Sequence, residues 1–120
     1  MKKQKIAYLF DLHGHSAKKN IFVFGEESEI GSHKYLYSRI IPKIIADSIN
    51  SFKLDHCLFK ASKEKTNTAR VYFSKKYHLN AITFEQSYGL LETGCMGISN
   101  WKNFGTALAD SLITYAELNK

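Results

Sequence analysis

The chain has 120 residues, 44% hydrophobic and 13% aromatic, and a formal net charge of +6. This is enough for one folded domain with a modest core, and it excludes a disordered or low-complexity polypeptide. The basic balance admits an acidic peptide, a nucleic acid or an anionic membrane surface as partner, or simply a solvated lysine-rich surface. Cys57 and Cys95 form no C-x-x-C pair and no disulfide framework, so a reducing, cytoplasmic setting is expected. No repeat is visible, and the apolar run Ile6 to Phe10 is too short for a secretory or membrane-spanning segment.

Ile6 to Leu12 reads as a short buried strand, and Gly14, Ser16 and Asn20 then mark a loop. Ile21 to Phe24 reads as a second strand, stopped by Gly25, and Glu26 to Gly31 as irregular. Ser32 can cap a helix beginning near Lys34, with Leu36, Ile40, Ile41, Ile44, Ile45, Ile49 and Phe52 as its apolar stripe. Pro42 inside that stripe predicts a kink, or a helix that starts there. Leu54 to Phe59 reads as extended and Ala61 to Thr68 as a loop, from which Thr66, Asn67 or Thr68 can cap a helix carrying Ala69, Phe73 and Tyr77. Ala81 to Glu85 alternates and is rich in β-branched residues, the pattern of a strand. Gly89 to Asn100 is expected to be a loop, and Asn100 the cap of a last helix that buries Trp101, Phe104, Leu108, Leu112 and Tyr115. Strands alternating with helices predict an α/β layered fold with a largely parallel sheet.

Chemistry-bearing residues gather at two of these strand ends. Side chains alternate along a strand, so His13 and His15 project from one face. Glu85 ends another strand. A hydrolytic zinc centre takes three protein ligands, leaves a position for water, and uses a nearby carboxylate as base. His13 as ligand and Glu85 as base fit part of that scheme; turn histidines and a solvated glutamate are the plainer alternative.

Taken together, Asp11-Leu12-His13-Gly14-His15-Ser16, Lys18-Lys19-Asn20-Ile21-Phe22 and Gly25 resemble the zinc metallocarboxypeptidases of the carboxypeptidase A type, in particular their cytosolic, deglutamylating branch. Downstream segments resemble it in order and spacing: Arg39-Ile40-Ile41-Pro42, Phe52 with Cys57-Leu58-Phe59, Lys63-Glu64 with Thr68-Ala69-Arg70-Val71, Thr83-Phe84-Glu85, and Gly105 with Leu108, Leu112 and Tyr115. The resemblance implies a three-layer α/β/α domain with a largely parallel mixed sheet, of which residues 1–120 would be the C-terminal half. It further implies a zinc ion held in part by His13, a general base at Glu85, and His15 as a substrate-facing residue beside the metal. Arg70 falls where the family meets the side chain of the substrate's last residue, and a guanidinium there would pair with glutamate. Acidic protein tails, such as those of tubulin, would be the substrates.

The family's other two zinc ligands come from an H-x-x-E motif; none of His13, His15, His33, His56 or His78 is followed by glutamate three residues later. The Asn-Arg pair that grips the substrate's terminal carboxylate has no counterpart, and neither Tyr72, Tyr77 nor Tyr88 matches the mobile-loop tyrosine. Lys65 stands where the branch has a loop glycine. The chain is therefore expected to be inactive by itself and to need an N-terminal half, or else to be a non-catalytic module that binds acidic peptides. Nucleic-acid binding would rest on net charge and scattered aromatics alone, with no base-stacking motif.

Overall fold

The computed structural model describes residues 6, 8–16, 18–26, 30–60, 68–118 of the chain. The lysines and caps read from positions 61–67, including Lys63-Glu64, Lys65, Thr66 and Asn67, lie outside the described residues.

Among these residues four strands form one mixed sheet in the order β1-β4-β2-β3, namely β1 (Tyr8–His15), β4 (Asn80–Ser87), β2 (Ile21–Glu26) and β3 (Leu58–Lys60). β1 runs parallel to β4 and β2 parallel to β3; only β2 and β4 are antiparallel. Among the described residues three helices accompany the sheet: α1 (His33–Ser48), α2 (Ala69–Tyr77) and α3 (Ile98–Leu118). β4 lies between two neighbours, and its burial follows: Ile82 and Phe84 are enclosed on one face, Ala81 and Thr83 on the other.

The two faces carry different layers. Ile21, Val23, Ile82 and Phe84 pack with Ile41 and Ile45 of α1 and Phe104 and Ala107 of α3 in a single core. Phe84, fully buried, meets Phe10, Phe52 and Phe104. α2 covers the opposite face of β1 and β4, burying Val71 and Ser74. This is the expected α/β/α layering with a mostly parallel sheet.

Several boundaries differ from those read in the sequence, each for a tertiary reason. β1 begins at Tyr8 and continues through Gly14 to His15. Gly14 stays in the strand, paired with Gln86, and the Tyr88 ring lies against its Cα in the space a Cβ would take. β2 likewise runs through Gly25, beneath the ring of Phe59. α1 starts at His33, with the Ser32 hydroxyl accepting from the Tyr35 N–H at 3.2 Å, and passes through Pro42 instead of starting there. Pro42 is fully buried, so the packing of its ring offsets the lost backbone bond. Phe52 is beyond the helix; it joins the core from a bridge to Ile21.

The segment from Leu54 opens as a 3-10 turn, Leu54–His56, before β3. Thr68 caps α2 through its hydroxyl, but the helix buries Val71 and Ser74; Ala69 and Tyr77 are exposed. Inside the expected loop 89–100 a short hairpin pairs β5 (Leu90–Leu91) with β6 (Gly94–Cys95). α3 starts at Ile98, and Asn100 reaches back to accept from the Gly97 N–H at 2.8 Å. No helix among the described residues is long and apolar enough to cross a membrane.

Candidate active site

The site forms where β1 and β4 end. His13 and Glu85 are register partners on these parallel strands, as are Asp11 with Thr83 and His15 with Ser87. Paired residues in a sheet point to one face, and alternation adds their neighbours two positions away. Asp11, His13, His15, Thr83, Glu85 and Ser87 thus share a face. Phe22 and Phe24, which pair with Glu85 and Thr83 from β2, share it too.

Each polar group has a definite setting. The Asp11 carboxylate lies 3.0 Å from Nε2 of His13, with side-chain exposures of 17% and 55% respectively. A carboxylate at Nε2 makes that nitrogen the donor and leaves the Nδ1 lone pair free, the arrangement common behind metal-bound histidines. Glu85 is half-buried between His13 and Phe22, and among the described residues no hydrogen bond or ion pair engages its carboxylate.

His15 reaches further. Its strand partner Ser87 is small and buried, and the imidazole spans β4 to meet Phe22 edge-on at 4.8 Å. The backbone N–H of Lys18 donates to His15 Nδ1 at 3.1 Å. The Lys18 ammonium rests over the Phe22 ring, 5.1 Å from its centre.

Arg70 lies in the first turn of α2 and is half-buried. Only His78 and Leu79 connect α2 to β4, and His78 is left-handed at φ 54°, so the chain reverses sharply. α2 therefore runs back along β4, which puts its N-terminal turn toward the end of the sheet that bears Glu85. His13, His15 and Glu85 are thus at one end of one face, and the first turn of α2, which carries Arg70, runs toward that end.

The metal fit is partial. His13 offers one nitrogen, whereas a catalytic zinc takes three protein ligands. Among the described residues no group of three His, Cys, Asp or Glu side chains could hold an ion. These residues do not make a zinc centre by themselves.

Comparison with known proteins shows what the chain is similar to. The chain is 31% identical over 126 residues to cytosolic carboxypeptidase 3 of Mus musculus, an alignment covering 98% of this chain and 12% of that protein. It is 28% identical over 123 residues to cytosolic carboxypeptidase 2 of Mus musculus, covering 98% and 14%. Over nearly its whole length the chain resembles a part of the zinc carboxypeptidases. Its fold agrees: a metallo-carboxypeptidase from Burkholderia cenocepacia superposes with a TM-score of 0.78 at 14% identity, over 97% of this chain and 32% of that one. No family model matches. The chain spans about an eighth of the length of the curated carboxypeptidases it matches.

Sequence reasoning passed over two residues of this strand-end cluster. Asp11 was legible as the residue two before His13, hence on its face. Phe22 had no such signal, because only the crossing of β4 by the His15 ring brings it near.

Proposed function

We propose that this chain supplies the proton-transferring carboxylate and one zinc ligand of a carboxypeptidase that removes C-terminal glutamate from acidic protein tails, such as those of tubulin, in the cytoplasm. The observation that carries the reading is the cross-strand pairing of His13 with Glu85. In this reading Glu85 takes a proton from the attacking water onto a carboxylate oxygen and passes it to the leaving amine nitrogen. Arg70 pairs with the side-chain carboxylate of the last residue. His13 would bind the ion through Nδ1, held in place by Asp11. The remaining ligands would come from an H-x-x-E segment outside the described residues, as in an N-terminal half, so the 120-residue chain is not a competent peptidase alone.

A second reading is favoured by the incomplete ligand set: a non-catalytic module that binds acidic peptides through Arg70 and neighbouring lysines. One experiment separates them. Glutamate release from a peptide ending in three glutamates is measured with the chain alone and with an added segment carrying H-x-x-E. Release in the second mixture, lost in Glu85→Gln, is the expected result. Binding without release in both mixtures leaves the module.

A further inference from the structure

The two edges of the four-stranded sheet are built differently. Among the described residues β3 forms one edge with three residues, and β1 the other with eight. Shortness, a lysine, a proline or a bulge are the usual devices that keep an edge from taking up another strand. β3 is short and ends at Lys60. β1 is long, holds neither lysine nor proline, and pairs with β4 without a bulge from Tyr8 to His15. Its core face is also unfinished. Leu12 is the register partner of Phe84 and shares its face, yet Phe84 is fully buried and Leu12 is 54% exposed. Tyr8 and Phe10, on that same face, are half-buried.

We propose that this edge takes up β1 of a second copy of the chain, antiparallel about a two-fold axis at Leu12, so that two four-stranded sheets become one. The side chains choose the register. Residues opposed in an antiparallel pair point to one face, and a residue on a two-fold axis meets its own copy. With Leu12 on the axis the two exposed leucines cover each other. Asp11 of each strand then faces His13 of the other, the same two groups that meet at 3.0 Å within one strand. With Asp11 on the axis two carboxylates would be opposed. Phe10 there would set Asp11 against Leu9, and His13 there would set Leu12 against Gly14. Of these four registers, the one on Leu12 alone joins apolar to apolar and acid to imidazole. This inference is independent of the peptidase reading.

The test is the oligomeric state of the 120-residue chain, read by sedimentation equilibrium. An edge contact is small and its dimer weak, so the mean mass should climb from 13.7 kDa toward twice that value between about 1 µM and about 200 µM. Leu12→Lys alters an exposed side chain, so its circular dichroism should match the wild type, while a charge at the axis should weaken the dimer at least about tenfold. A second measurement uses Leu12→Cys combined with Cys95→Ser. With oxidised glutathione this variant should form a disulfide between copies at least about tenfold faster than the exposed Cys95 does in the wild type, because pairing holds the two thiols together. A mass of 13.7 kDa at every concentration overturns the proposal. So does a dimer that survives Leu12→Lys, or a disulfide that forms no faster, since another face would then join the copies and β1 would be left to a different occupant.

Discussion

His13 and Glu85 stand opposite each other on parallel strands 72 positions apart in sequence, and the pairing runs unbroken from Tyr8 with Asn80 to His15 with Ser87. A slip of one residue would turn Glu85 to the core face and His13 away from it. The register is held from the other side of the sheet, where Phe10 and Phe84 meet edge-on, 5.6 Å apart. Core packing on one face therefore sets the chemistry available on the other.

Phe84→Ala is expected to cost about 3–5 kcal/mol, because a fully buried ring leaves a cavity shared by Phe10, Phe52 and Phe104. Against a total stability of about 5–15 kcal/mol this is a large share. Urea unfolding followed by circular dichroism measures it, and an effect below about 1 kcal/mol would contradict the central place of β4.

Two glycines should respond differently to alanine. At Gly25 a Cβ meets the Phe59 ring, which is pinned beneath Arg39, whose guanidinium lies 3.3 Å from its centre. Gly25→Ala should cost about 1–3 kcal/mol by overpacking. At Gly14 the obstacle is Tyr88, 71% exposed and able to turn aside, so Gly14→Ala should cost less. The same urea titrations rank the pair, and the reverse order would refute the argument.

Burial pushes the Cys57 thiol up from 9.0 to about 11, with Asp55 adding to the rise. The thiol form is thus favoured in the folded state, and its contribution to stability is full below pH 9 and lost as pH rises from 9 toward 11. Cys95 is exposed. Iodoacetamide at pH 8 should add one group to the folded chain, at Cys95, and a second only after unfolding. Mass spectrometry of the native reaction reads this directly; two rapid additions would show Cys57 to be accessible.

The 120-residue chain should hold no stoichiometric zinc after dialysis, and a chelator should leave its thermal midpoint within about 1 °C, since only binding to the native state stabilises it. Elemental analysis and calorimetry check both. Tight zinc in the chain alone would mean ligands beyond His13 in this segment.

Arg70→Glu should reverse the preference of the assembled enzyme from peptides ending in glutamate toward those ending in lysine, by at least tenfold in the ratio of kcat/KM. An unchanged ratio would remove Arg70 from specificity.

Much of this was legible in the linear order of residues. Helical spacing and a serine announced α1, alternation announced β4, and the His13-Gly14-His15 run with Thr83-Phe84-Glu85 pointed to the family. These are signals carried by near neighbours in the chain, where backbone period and capping operate. Tertiary contact decided the rest. Gly14 and Gly25 could be read as strand breakers until rings from Tyr88 and Phe59 were seen to occupy the space their missing side chains leave. Likewise, Phe52 could be read as helical until its bridge to Ile21 was seen. That His13 should face Glu85 depends on the pairing of β1 with β4. Local sequence sets what each strand and helix can be; which distant side chains share a surface is decided by the single register that lets Phe10, Phe84 and Phe104 close the core.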